Sequence, residues 1–238
     1  MTIEQGSYES PIDRSVFDQF AARLAGDLPR PTVVETMTAL LRQEIIDGAY
    51  GPGTRLPEES LSKRFRISRH SLREAMRLLV HERLLVHETH RGVRVRTVDV
   101  HDLGEIFAAR RVVECAAVER ASDDGAALAV VRAAVREGQQ AAEAGVWATV
   151  GTADLHFHQA ITALAGSSHL DELMRRLLAE LRLALHVLAD PRRFHEPYLE
   201  RNDEIATLLE RGDRTAAASA LRTCLDDAER QLTAAVAA

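Results

Sequence analysis

The stretch Gly53-Thr54-Arg55-Leu56-Pro57-Glu58-Glu59-Ser60-Leu61-Ser62-Lys63-Arg64-Phe65-Arg66-Ile67-Ser68-Arg69-His70-Ser71-Leu72-Arg73-Glu74-Ala75-Met76-Arg77-Leu78-Leu79 decides the fold. It reads as two short helices joined by a tight turn. Pro57-Glu58-Glu59 opens the first, with Pro in the first turn and acids near the positive end of the helix dipole. In the second, Leu72, Ala75, Met76 and Leu79 recur at i, i+3, i+4 and i+7 and form a face to bury. Arg69, His70, Arg73 and Arg77 fall beside that face and point outward. A helix held by a core on one side and basic on the other is built to enter an anionic groove.

Working outward, Thr32 followed by Glu35 is a capping-box pattern. Val34, Met37, Leu41 and Ile45 mark one helical stripe, which Asp47–Gly53 stops. Downstream, Leu84-Leu85-Val86 is a short apolar run and Thr89-His90-Arg91-Gly92 a turn. Val93-Arg94-Val95-Arg96-Thr97 then alternates apolar and basic, the period of a half-buried strand. The hairpin so formed is a wing with His90, Arg91 and Gly92 at its tip. Helix, helix, helix, hairpin is the order of a winged helix-turn-helix, here over 31–97. Residues 1–30 are polar and punctuated by Pro, with a modest helical stretch around 13–25; they are expected to be a partly disordered extension.

From Asp99 onward helical stripes recur with breaks near Ser122–Gly125, Ala144–Val146, Gly166–Ser168, Asp190–Arg193 and Gly212–Asp213. That spacing predicts about six helices and an all-α bundle over 98–238. The overall class is therefore mainly α. Apolar residues make up 46% of the 238, enough for a core, and the scarcity of aromatics at 4% beside abundant Ala and Leu favours helix. No apolar run approaches the ~20 residues of a membrane span, and no secretory signal is visible at the N-terminus. Two cysteines, Cys115 and Cys224, form no disulfide framework, which suits a reducing cytoplasm.

The net charge of −6 argues against nucleic acid until its distribution is considered. Residues 55–96 hold eleven basic side chains and five acids, a local balance of +6, which leaves −12 on the rest. A basic module on an acidic body confines phosphate binding to one end.

Gly53-x-Arg55-Leu56-Pro57, then Leu61, then Ser68-Arg69-x3-Arg73-Glu74-Ala75, then Arg91-Gly92-x-x-Val95, resembles the GntR superfamily of bacterial repressors. The helical remainder is similar to the ligand-binding FCD domain of its FadR subfamily, through Arg110-x3-Glu114, Asp154-x3-His158-Gln159-Ala160 and Gly212-Asp213 before an Ala-rich last helix. The resemblance covers about residues 32–235. It implies that Ser68, Arg69, His70 and Arg73 meet DNA at the recognition helix, and that Arg91 and Gly92 enter the minor groove from the wing. The chain departs from the family pattern at Arg83, where Gly is usual, and at Glu59, where some relatives carry a basic residue.

Arg110 shares an apolar stripe with Leu103, Ile106 and Phe107. A charge on such a face needs a partner. Two readings stay open: an ion pair with Glu114 at i, i+4, or a carboxylate effector bound inside the bundle. Asp154 and His158 lie one turn apart on the side of Ile161, a half-site for a divalent metal such as zinc or nickel, or a hydrogen-bonded pair. In metal-binding relatives two further histidines complete the site; the resemblance places Asn202 and Cys224 there. His156 points elsewhere, and Arg182 and His186 are candidates for the cavity wall. Arg110, Asp154, His158 and Asn202 are thus expected to converge on one effector cavity. The expectation is a ligand-responsive repressor, a homodimer on an inverted-repeat operator. A metal-dependent enzyme or metal sensor using Asp154 and His158 is the rival class, but no nucleophile–base pair or phosphate loop accompanies them. A purely structural DNA binder leaves the inward polar residues unexplained.

Overall fold

The first helix, α1 (Val33–Ile46), starts where the capping box places it. In the computed structural model the Glu35 backbone N–H donates to the Thr32 hydroxyl, and the Thr32 N–H donates back to the Glu35 carboxylate. The structure describes residues 31–88, 92–121 and 124–237, so the 1–30 extension and the wing tip at Thr89–Arg91 lie outside it. Helix α2 (Glu58–Phe65) stops at Arg66, whose φ of 53° is left-handed, and the Ser62 hydroxyl donates to the Ile67 carbonyl at 2.7 Å across the turn. The Ser68 hydroxyl then accepts from the Ser71 N–H and caps α3 (Arg69–His81). Leu72, Ala75, Met76 and Leu79 are buried on α3, as the 3.6-residue stripe requires.

Strands β1 (Leu85–Glu88) and β2 (Gly92–Val95) pair antiparallel, Leu85 opposite Val95 and Glu88 opposite Gly92. Val93 and Val95 turn into the core while Arg94 faces outward. The segment before α2 adds a third edge: the Val95 N–H donates to Thr54 O and the Leu56 N–H to Val93 O, both at 2.9 Å. Arg83, the departure from the family glycine, has φ 59°. An L-residue there costs roughly 1–2 kcal/mol.

Six helices follow among the described residues: α4 (Val100–Glu119), α5 (Gly125–Glu143), α6 (Trp147–Ala163), α7 (Ser168–Leu185), α8 (Pro191–Glu210) and α9 (Arg214–Ala237). The connections fall at the sequence breaks, and Asp99, Asp124, Ser167 and Asp190 supply side-chain caps. Helix α6 packs against α5, α8 and α7, and α4 lies along α9. No helix among the described residues is long and apolar enough to cross a membrane.

The two halves meet along α7. Arg182 Nε donates to the Ile46 carbonyl at the end of α1 (3.3 Å), and Arg182 Nη2 to the Thr152 hydroxyl on α6 (2.8 Å). His186 Nε2 lies 3.0 Å from the same Ile46 oxygen. Burial first, and the nearby Arg182 charge second, push the His186 ring below its usual pKa. The carbonyl can only accept, so the ring donates that bond. Gly48, at φ 82°, leaves room for the ring, which an added Cβ would approach to 2.9 Å. Beside this grip, Arg96 hydrogen-bonds both Asp102 and Glu180, and Arg83 reaches Glu180 at 3.5 Å. The strained backbone at Arg83 thus carries a side chain that bridges the two halves.

Candidate functional site

Ser68, Arg69, His70 and Arg73 are all exposed along one edge of α3. Neighbouring acids hold the arginines. Arg73 Nε donates to Glu58 at 2.7 Å, Arg69 lies 3.7 Å from Glu59, and Arg77 bonds Glu74 at 3.0 Å. These pairs are solvent-exposed, worth about 1 kcal/mol or less, so a phosphate or base edge can displace the acids. The Ser68 hydroxyl is engaged as the helix cap. Gly92 sits at φ 84° with the Arg55 guanidinium 3.8 Å from the position of its absent Cβ, and Arg91 lies outside the described residues.

The second site is inside the bundle. Arg110 on α4, Asp154 and His158 on α6, Tyr198 on α8 and Cys224 on α9 line one cavity with Leu181 and Leu185 of α7. The cavity is small, about 20 Å³, with space for roughly one water. Arg110 is only 2% exposed. Its Nε donates to Glu114 at 2.7 Å, its guanidinium sits 5.0 Å from the Phe107 ring centre, and its Nη2 has no partner. The expected i, i+4 pair therefore forms and still leaves one donor free toward the cavity. Glu114 is fully buried and also takes the His158 Nδ1 at 2.6 Å. Burial pushes the Glu114 carboxyl up, but the Arg110 guanidinium and the His158 ring, through the hydrogen bonds each gives it, outweigh burial and hold the pKa below the usual value.

Glu114 corrects the expected pairing of Asp154 with His158. The two are 3.9 Å apart, too far for a hydrogen bond, because the ring is turned toward Glu114. Asp154 instead accepts from Asn202 Nδ2 at 2.8 Å. Only the amide nitrogen can face a carboxylate, so the orientation of Asn202 is determined, and its Oδ1 is left buried and unpartnered. Asn202 does not line the first cavity. It lines a smaller one, about 10 Å³, that adjoins the first at Asp154 and Tyr198. His195, which sequence reasoning missed, lines it too. The ring is 3% exposed with Nδ1 unpartnered, and packs where a Cβ on Gly151 would come within 2.7 Å of Nε2. Burial, more than the opposing Asp154 charge, pushes its pKa down, so it is a neutral ring. The signal was present as His195-x2-Tyr198-x3-Asn202, one stripe of α8.

Of the other candidates, Arg182 and His186 do not line the cavity but grip Ile46, and His156 pairs with Glu137 at 2.9 Å on the surface. Asp154 and His158, with a carboxylate behind the imidazole, look like two ligands with an outer partner. Cys224 is a buried thiol on the same cavity, pushed up to about 12 by burial and the Asp154 charge. Asn202 presents a nitrogen donor to Asp154. Among the described residues no group of three or more His, Cys, Asp or Glu is placed to hold a metal ion. With no third such donor placed beside them, Asp154 and His158 fall short of the three or four protein ligands a resident zinc takes, so the set does not fit that ion.

Comparison with known proteins bears on both sites. Residues 34–95 match the model of the bacterial regulatory proteins of the gntR family, and residues 105–227 match the FCD domain. An uncharacterised HTH-type transcriptional regulator of Bacillus subtilis, YdhC, is 28% identical over 194 residues, 76% of this chain and 86% of that one. The HTH-type transcriptional repressor GlaR of Escherichia coli K12 is 31% identical over 144 residues, 58% of this chain and 65% of that one. A solved structure of a GntR transcriptional regulator from Rhodococcus sp. RHA1 is 42% identical, covers 84% of this chain and 96% of its own, and superposes with a TM-score of 0.80. The matched domains and relatives are transcriptional regulators, not enzymes. The chain belongs to the GntR family of bacterial transcriptional regulators, in the branch whose second domain is an FCD domain.

Proposed function

We propose that this regulator acts in the cytoplasm as a homodimer on an inverted-repeat operator, and that a small carboxylic acid bound among the C-terminal helices modulates its grip on DNA. Residues 31–97 are the DNA-binding unit, with Ser68, Arg69, His70 and Arg73 on the major groove and Arg91 and Gly92 of the wing in the minor groove. Residues 98–238 bind the effector and dimerise. The observation that carries the effector is the buried, unpartnered Nη2 of Arg110 at the cavity. A guanidinium fork matches a carboxylate. Coupling to DNA is supported by α7, whose Leu181 and Leu185 wall the cavity while Arg182 and His186 hold the end of α1. The acid can act only through different affinities for the DNA-competent and incompetent arrangements.

The test is operator binding. A duplex selected from a randomised pool is titrated by fluorescence anisotropy, with and without a panel of small carboxylic acids. The reading expects one acid class to change operator affinity, and Arg110→Met/Glu114→Leu, which removes the buried pair together, to abolish the change. An Arg110→Met/Glu114→Leu protein that still responds to the acid would remove Arg110 from the effector role.

A further inference from the structure

Five buried side-chain atoms lack a hydrogen-bond partner among the described residues, and four belong to residues lining the two adjoining cavities: Arg110 Nη2, Tyr198 OH, His195 Nδ1 and Asn202 Oδ1. Unpartnered buried polar atoms are rare and costly, so this clustering points to a ligand. The four are chemically polarised. Arg110 Nη2 can only donate and Asn202 Oδ1 can only accept, whereas the phenol and the neutral imidazole can do either. Asp154, which lines both cavities, adds another acceptor.

The charges are polarised in the same sense. Glu114 cancels Arg110. Asp154 is left with an amide on one side and, as its one ion-pair neighbour among the described residues, the His158 ring at 3.9 Å. A plain carboxylate entering at Arg110 would meet the carboxylates of Asp154 and Glu114 beside the one guanidinium that lines the cavity. A ligand with a positive donor group close to its carboxylate satisfies both ends. A hydroxyl would supply one donor and no charge; an ammonium supplies three donors and the charge that Asp154 lacks.

We infer that the effector is a small α-amino acid bound as the zwitterion, its carboxylate on Arg110 and its ammonium on Asp154 and Asn202 Oδ1, with His195 at the same end. The inference rests on the effector reading above and makes it narrower. Cavities with room for about one water each favour the shortest side chains, with Leu181 and Leu185 giving way at the wall.

The full-length protein is titrated by calorimetry and thermal shift with three matched sets: glycine, alanine and serine; their hydroxy-acid counterparts; and acetate and propionate. At least one amino acid should bind about tenfold or more tightly than its hydroxy counterpart, a gap of about 1.4 kcal/mol, and more tightly still than the plain acid. Asp154→Asn should remove that preference while keeping the plain acids. Asn202→Ala, which keeps all charges, should weaken the amino acid several-fold and leave propionate unchanged. Hydroxy or plain acids binding as well as amino acids would overturn the ammonium arm and leave the carboxylate reading standing. A divalent metal alone that stabilises the parent but not Asp154→Asn would overturn it too, by showing that the positive partner of Asp154 is an ion. No binding by any set at about 10 mM, where a millimolar ligand would be mostly bound, would bring down the carboxylate reading and this inference together.

Discussion

Glu114→Gln should destabilise the helical domain more than most single substitutions in it. Gln keeps the shape and can still hydrogen-bond, but it removes the negative charge that Arg110 and His158 share at 2.7 and 2.6 Å. Arg110 is 2% exposed, shut off from bulk solvent, and cannot release its proton. Breaking a buried pair by removing one partner costs about 3–5 kcal/mol; the retained hydrogen bonds place this case near the lower end, about 3 kcal/mol. At roughly 2–4 °C per kcal/mol for a chain of this size, the melting midpoint should fall by about 6–12 °C. Urea unfolding is followed by the fluorescence of Trp147, the single tryptophan, which opens the helix that carries His158. The companion Arg110→Met/Glu114→Leu removes both charges, and should recover most of the loss because an apolar replacement of a buried pair is often neutral. A single variant within about 0.5 kcal/mol of the parent, the range of an ordinary surface change, would refute the reasoning. So would a double variant as unstable as the single one, since packing rather than charge would then account for the loss.

Arg73→Ala should weaken specific operator binding by about 1–3 kcal/mol, the worth of a bidentate arginine contact, with the melting curve of the helical domain unchanged; equal affinity in a gel shift at fixed salt would take α3 out of the reading role. A 98–238 fragment should sediment as a dimer at micromolar concentration, and a monomer there would move the dimer contact elsewhere. Acid should act in two windows. His186 and His195 have folded pKa values below 6.5, so the stability they contribute is present above 6.5 and lost as pH falls through those lowered values. Glu114 lies below 4.5, so its contribution is present above 4.5 and lost as pH falls through its own lowered value. His195→Gln should flatten the upper window of the stability–pH curve and Glu114→Gln the lower, and curves parallel to the parent would contradict the assignment.

The winged helix and the six-helix bundle were legible because their signals are local. A 3.6-residue stripe, a capping box and a Gly or Asp at a helix end act within one or two turns. What stayed hidden depends on elements far apart in the chain. Spacing put Asp154 and His158 on one side of α6, but only the position of α4 shows that Glu114 claims the ring. Glu58 and Glu59 read as dipole partners of their own helix; the turn at Arg66 also brings them to Arg73 and Arg69. His195 shares a stripe with Tyr198 and Asn202, a local mark, but only the packing of α6 at Gly151 shows that its ring is enclosed. Arg182 and His186 were expected at the cavity wall and instead grip Ile46, which only the placement of one half on the other reveals. Arg83 was legible as a departure from the family pattern, and its left-handed φ supplies the reason that position favours glycine.

The double duty of α7 has a consequence for how the regulator behaves in a population. Rows of side chains one residue apart on a helix point about 100° apart, so a small roll of α7 moves the cavity wall and the hold on α1 as one body. Linkage is reciprocal: whatever factor the acid imposes on operator affinity, the operator must impose on acid affinity. Copies on the operator and copies free in solution would then respond to different concentrations of the same molecule. An acid that releases DNA would saturate the free pool first, and each added copy of the regulator would raise the concentration at which the gene responds. The sensing threshold would belong to the number of chains as much as to the pocket.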